Sequence, residues 1–338
     1  MSVLIAHSAA AVLLLLQCTP TSGLLGLPSA LRQRSSLLFA EPSALTVKYF
    51  ERVDQVEAAG GAGGSSSLRG LQGLENAWEK LKNGGWQVEP GKVVDASREG
   101  VAKGGQAQYD IAVCGGTLGI FYATAMQRLG YRVCVLERGK IAGRPQEWNV
   151  SKKEINAMLR MGVLMESDVA AITGIEFNPV RVGFKNEGEG FEVLVRDVLN
   201  LGVKPDVLIA LVKERFEALG GTVLEGAALG KIDLHSDMAQ LHYEGGGGGG
   251  GGGEESSVTA RLVLDSMGNG SPISKQIRGT VEPDGVCVVV GTCASGYDQG
   301  NNTYGDLIYT NTPITQKSES DLQYFWEAFP SGSGPTDR

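Results

Sequence analysis

The sequence predicts an α/β protein: a mostly parallel sheet that carries a β-meander, with a β-rich region inserted into it or appended to it. Three observations predict this. An apolar run, Tyr109 to Cys114, leads into a glycine turn, a helix-like stretch and a second apolar run that ends in Glu137. An amphipathic stretch, Lys204 to Leu219, feeds a short run of β-formers, Thr222 to Glu225. Three alternating segments follow, Lys231 to Leu234, Met238 to Tyr243 and Val258 to Leu264, and alternation is the mark of a half-buried strand.

The chain of 338 residues is long enough for one large or two modest domains. Its first 40 residues contain no Asp or Glu. The apolar run Ala9 to Leu16 is far shorter than the ~20 residues a membrane span needs, so no transmembrane span is expected there. It has the form of a signal-peptide core, and the Ser- and Leu-rich stretch behind it carries Arg32 and Arg34. Residues 1–40 therefore read as a two-part plastid leader, with a plain secretory signal as the alternative. Residues 41–108 read as a helical preface. Apolar residues at helical spacing mark Val47 to Ala58 and Leu71 to Lys82, and the small residues Gly60 to Ser67 link them.

Composition excludes several classes. The net charge is −8 with no clustered basic stripe, which argues against nucleic-acid binding, because phosphate contacts need Lys and Arg on one face. Five cysteines (Cys18, Cys114, Cys134, Cys287, Cys293) show no paired spacing, and three histidines are scattered, so no metal site is expected. Cys114 and Cys134 sit inside apolar strand patterns, where a thiol acts as a small hydrophobe; unpaired thiols fit a reducing compartment.

The core of the functional reading is the segment 109–137. Strand Tyr109–Cys114 meets the turn Gly115-Gly116-Thr117-Leu118-Gly119; a helix-like stretch to Leu129 closes on Gly130, and a second strand ends in Glu137. Strand, glycine turn, helix, strand and acid in this order define a Rossmann-like dinucleotide-binding unit. Gly116 is expected to let the backbone approach a pyrophosphate, and Gly119 to let the helix pack on the strand. The helix N-terminus offers free N–H groups to phosphate, and Glu137 is placed to accept from a ribose hydroxyl. The first glycine of the fingerprint is replaced by Cys114. Either Gly115 takes over the turn or Cys114 tolerates its geometry.

Two features favour FAD over NAD. Arg138 follows the acid directly and Arg144 stands in the next loop, where a guanidinium can fork onto a pyrophosphate. The meander also returns a strand to the sheet and delivers Asp265 and Gly268 beside the cofactor. The unit is expected to span 109–278, with the glycine run Gly245 to Gly253 as a disordered hairpin tip and 279–338 as a partial β-sheet substrate domain.

Here the sequence resembles a known group. Tyr109 to Gly119, Val133 to Gly139 and Ala260 to Gly268 are similar to the FAD-binding motifs of the flavoprotein family that includes aromatic hydroxylases, geranylgeranyl reductases and lycopene cyclases. GRPQEWNVSKKE (Gly143 to Glu154), DSMGNGSPISKQIR (Asp265 to Arg278) and YFWEAFPSGSGP (Tyr324 to Pro335) resemble a chloroplast FAD/NAD(P)-binding oxidoreductase family of plants and algae. The resemblance implies an FAD-dependent oxidoreductase in the plastid, with NAD(P)H a candidate electron donor and a hydrophobic isoprenoid or aromatic small molecule as substrate. It leaves peripheral membrane contact open. Such families carry a late Gly-Asp motif whose aspartate holds the flavin ribityl chain. Gly305-Asp306 instead reads as a strand, so the chain is expected to be C-terminally truncated relative to the family.

Trp148 reads either as a core residue or as a stacking partner for flavin or substrate. Ser151 and Glu154 form a capping box for a helix from Lys152 to Met161. No catalytic acid or base stands out. Three functions therefore remain open: a redox enzyme, a lycopene-cyclase-like protein using flavin without net oxidation, and a truncated nucleotide-binding protein without catalysis.

Overall fold

The computed structural model describes residues 5–7, 44–45, 47–48, 51, 76, 92–96, 105–144, 146–185, 190–245, 255–281, 289, 293–310 and 323–338. The linker 60–67, the glycine run beyond Gly245 and all of the leader except Ile5–His7 lie outside the described residues. Of the preface helices, only Val47, Lys48, Glu51 and Asn76 are described, each in helical conformation.

The main sheet grows from β3 (Tyr109–Cys114), whose neighbours are β4 (Val133–Glu137) and β13 (Glu255–Asp265), both parallel to it. On the far side of β4 lies β10 (Thr222–Glu225), again parallel. Beyond β13 the pairing turns antiparallel through β12 (Ala239–Glu244) and β11 (Ala228–Leu234), and β2 (Val94–Asp95) closes the order β10-β4-β3-β13-β12-β11-β2. The predicted meander is therefore present, and its last strand is long for a reason. The first part of β13 pairs with β12 up to Ala260, and its second part pairs with β3 from Ala260 to Asp265. Past the end of β12, the free edge at Val263–Asp265 is taken by β1 (Ile5–His7).

Alternation along β3 and β4 splits the core into two layers, as expected for a parallel sheet covered on both faces. Ile111, Val113, Val133 and Val135 face helices α1 (Gly119–Arg128) and α4 (Pro205–Ala218), together with Ile120, Ile209, Val212 and Phe216. Ala112, Cys114, Cys134 and Leu136 face the other way, onto Ile232, Leu241 and Ile273. Helix α4 starts with Pro205 in its first turn, where the missing N–H costs no hydrogen bond.

The segment between β4 and α4 carries two short helices and two smaller sheets. Helix α2 (Lys152–Arg160) opens with the expected capping box: the Glu154 carboxylate accepts from the N–H of Ser151 at 2.7 Å and from its Oγ at 2.8 Å. Helix α3 (Glu166–Ile172) follows, and the buried Asp168 pairs with Arg215 of α4 at 2.9 Å. Strands β5 (Trp148–Val150), β9 (Leu201–Val203) and β6 (Thr173–Glu176) form a three-stranded sheet. Trp148 is half-buried and packs against the first core layer.

The last sheet crosses the expected domain division. Its order is β15-β14-β7-β8, where β14 (Gly305–Thr310) and β15 (Phe325–Ala328) join β7 (Val180–Lys185) and β8 (Gly190–Val195). Half of this sheet thus comes from the segment that sequence reading assigned to the nucleotide unit. The parallel pairing of β14 with β7 explains why local patterning did not show it, since the partners lie over a hundred residues apart. Asp306 on β14 is buried and holds Arg181 of β7 at 2.6 Å as well as Arg338.

Candidate functional site

The C-terminal ends of β3, β4, β10 and β13 converge on one region, the edge where open α/β sheets bind ligands. The turn out of β3 is made by Gly115, with φ +95° and its N–H bonded to the carbonyl of Leu136 at 2.8 Å. A Cβ there would lie 2.5 Å from the carbonyl oxygen of Ser266, so only glycine fits. Of the two readings of the missing fingerprint glycine, Gly115 takes the turn. Cys114 stays in the strand, buried, its carbonyl accepting the Ser266 N–H at 2.7 Å.

Gly119 does what its position predicts. A Cβ would lie 2.6 Å from Cγ1 of Val113, so its absence brings α1 down onto β3. Gly116 is also closely packed. The space its Cβ would occupy is filled by Ile141, at 2.5 Å from Cγ1, so glycine here serves the close approach of the 138–141 loop. What Gly116 offers is its N–H, which donates to Oε2 of Glu137 at 2.8 Å.

Glu137 is half-buried, and its second oxygen, Oε1, accepts the N–H of Gly139 at 2.9 Å. Two backbone N–H groups thus fix the carboxylate at the mouth of the turn. An ionised carboxylate has about four acceptor positions, so roughly two remain for hydroxyl donors. Next to it, the N–H groups of Thr117, Leu118 and Gly119 donate to no other group among the described residues. They sit at the positive end of α1, whose first turn carries no acidic residue. Arg138 and Arg144 are exposed, and neither makes an ion pair with a described residue.

Asp265 and Gly268 reach the same edge, since Asp265 is in register with Cys114. The Asp265 carboxylate is buried and turned into its own loop, where it accepts from the Ser271 hydroxyl at 2.5 Å and the Met267 N–H at 3.1 Å. It shapes the 265–271 loop that presses on Gly115. Gly268 is exposed with φ +67°.

One charged residue in this region was missed. Glu225 ends β10 exactly as Glu137 ends β4, and the two are in register. Its Oε1 accepts from Lys213 at 2.7 Å and from the Ile141 N–H at 2.9 Å; its Oε2 accepts from Lys140 at 2.9 Å. Partial burial opposes its ionisation, but the hydrogen bonds from Lys213, Lys140 and Ile141 outweigh it and hold the carboxyl at about 2. The signal was present in the sequence, in two parallel strands that each end in Glu.

Burial, with the nearby Cys134 and Asp265, pushes the Cys114 thiol well above its usual range, and burial pushes Cys134 up to about 12. Neither is a nucleophile at neutral pH. Asp306, of the Gly305-Asp306 pair, is engaged by its two arginines. Among the described residues no group of three His, Cys, Asp or Glu side chains could hold a metal ion, and no helix is long and apolar enough to cross a membrane.

No family model matches the sequence, and no curated protein matches it. Solved structures do show likeness. The chain is similar to p-nitrophenol 4-monooxygenase PnpA from Pseudomonas putida DLL-E4, with 17% identity over 65% of this chain and 58% of that one and a TM-score of 0.41. It is also similar to a flavoprotein/dehydrogenase from Cytophaga hutchinsonii (13% identity, 59% and 49% covered, TM-score 0.42) and to the flavin-dependent brominase Bmp2 (14% identity, 60% and 50% covered, TM-score 0.43). The chain spans 34% and 33% of the length of two further comparison structures, the Diels-Alderase PyrE3 and the anhydrotetracycline hydroxylase OxyS. Likeness at this level carries no argument about activity.

Proposed function

We propose that the chain binds FAD at residues 115–119 and 137, as the nucleotide-binding part of a plastid flavin-dependent oxidoreductase acting on a hydrophobic small molecule, aromatic or isoprenoid. One observation carries the reading: the Glu137 carboxylate is held by Gly116 and Gly139 N–H groups beside three N–H groups at the start of α1 that donate to no other group among the described residues.

Each part has a physical task. The N–H groups of Thr117, Leu118 and Gly119 receive a pyrophosphate at the positive helix end. Glu137 accepts from a ribose hydroxyl, and its two backbone partners remove the entropy cost of orienting it at that moment. Arg138 and Arg144 add charge that draws an anion in. The flavin, when bound, supplies hydride acceptance and donation. The residues fit the adenosine and pyrophosphate end of the cofactor; the chain's part in the chemistry is binding and orientation.

A second reading is a nucleotide-binding protein without catalysis. It is favoured by Asp265, which is spent on its own loop, and by Asp306, which is spent on Arg181 and Arg338. Purifying the full chain and recording its visible spectrum with and without added FAD separates the two. A yellow protein with one flavin per chain supports the first reading. A colourless protein that still binds ADP supports the second.

A further inference from the structure

Glu225 makes no contact that the proposed cofactor site requires, yet it gathers two lysines and a backbone N–H around one carboxylate. Those partners have something in common. Lys140 and Ile141 both belong to the loop that leaves β4, the loop that also contains Arg138 and Gly139. Lys213 comes from α4, on the opposite side. The turn after β10 adds two further ties: Gly226 N–H donates to the Gly139 carbonyl at 3.1 Å, and Ala227 N–H donates to the Glu137 carbonyl at 2.9 Å. The loop therefore lies against the end of β10, where Glu225 holds its Lys140 side chain and its Ile141 N–H.

Two consequences reach the glycine turn. Holding the Ile141 N–H places the Ile141 side chain over Gly116, where it fills the space a Cβ would take. Holding the loop also keeps Gly139 N–H on Oε1 of Glu137. We propose that Glu225 is a positioning residue for the adenosine end of the site: it fixes the 138–141 loop, and through that loop the orientation of Glu137. This rests on the dinucleotide reading above.

The charge arithmetic supports the division of labour. Two carboxylates in register at neighbouring strand ends repel, and the pair is stable when one is neutralised. Lys213 and Lys140 neutralise Glu225, while among the described residues Glu137 has neutral N–H partners alone and stays open to hydroxyl donors.

The test uses the full chain and titrates ADP and FAD by calorimetry against wild type, Glu225→Ala, Glu225→Gln and Ile141→Ala. Glu225→Gln keeps an acceptor for the Ile141 N–H; Glu225→Ala removes it. The expected result is an ADP affinity about fivefold or more weaker in Glu225→Ala, within about twofold of wild type in Glu225→Gln, and weaker again in Ile141→Ala; fivefold corresponds to about 1 kcal/mol. Hydrogen exchange at 138–141 should rise in Glu225→Ala and stay near wild type in Glu225→Gln. Should Glu225→Ala fail to fold, Ile141→Ala and the exchange comparison with Glu225→Gln decide. Wild-type ADP affinity in both Glu225→Ala and Ile141→Ala overturns the positioning role and leaves the dinucleotide site standing. A wild-type chain that binds neither ADP nor FAD overturns the dinucleotide reading and this role with it.

Discussion

The carboxylate of Glu137 lies 2.8 Å from the N–H of Gly116, across the turn that joins β3 to α1. The turn after β3 and the end of β4, brought side by side by parallel pairing, thus share one hydrogen bond at the mouth of a helix N-terminus. Oε1 of the same carboxylate is held by Gly139. Both oxygens are thus oriented by the protein's own backbone, which is the property a ribose-binding acid needs.

Removing that acid should weaken dinucleotide binding sharply. Hydrogen bonds to a charged group contribute about 1.5–3 kcal/mol, so Glu137→Ala should lose about 10- to 100-fold in ADP affinity. Calorimetric titration of the full chain checks this, and circular dichroism confirms that the fold is kept. An unchanged affinity would place the ribose elsewhere.

Gly115→Ala should destabilise the protein. Its backbone is in the left-handed region at φ +95°, and the added Cβ would meet the Ser266 carbonyl oxygen at 2.5 Å. Backbone strain of this kind costs about 1–3 kcal/mol, before any shift of the 265–271 loop. Denaturant unfolding should show a lower midpoint with the slope unchanged. A midpoint equal to wild type would mean that the turn relaxes freely.

Acid should release Glu225. Its folded-state carboxyl sits at about 2, below the ordinary value of 4.5, so it contributes stability above about pH 4.5. That contribution falls away as pH drops from 4.5 towards 2. Glu225→Gln should therefore be less stable than wild type at pH 7, and the gap should narrow by pH 3. Unfolding curves at both pH values measure it; a gap independent of pH contradicts the lysine contacts.

The cysteines should separate by reactivity. Cys293 is exposed, whereas Cys114 and Cys134 are buried with thiols pushed well above the physiological range. Brief alkylation of the native chain at pH 8, read by mass spectrometry, should modify Cys293 and spare Cys114 and Cys134. Modification of Cys114 under native conditions would show that the end of β3 opens.

Much of this was legible in the sequence because it is local. Tyr109 to Glu137 carries strand, turn, helix, strand and acid within one stretch, and each was read from its own periodicity and turn chemistry. Ser151 and Glu154 announced a helix start for the same reason. Other features depend on partners far along the chain. The pairing of Gly305–Thr310 with Val180–Lys185, and the clamp of Asp306 by Arg181 and Arg338, have no local signature. The packing of Ile141 onto Gly116 has no local signature either, because the Ile141 N–H is held by Glu225 on another strand. The inward turn of Asp265 likewise depends on Ser271, beyond the strand end.

The most direct measurement is a titration of the purified full-length chain with FAD, followed by quenching of flavin fluorescence, with Glu137→Ala alongside. Saturable binding of one FAD per chain, weakened about tenfold or more by the substitution, is the expected result. No binding, or binding that Glu137→Ala leaves untouched, would contradict the assignment of the ribose to the carboxylate that Gly116 and Gly139 hold.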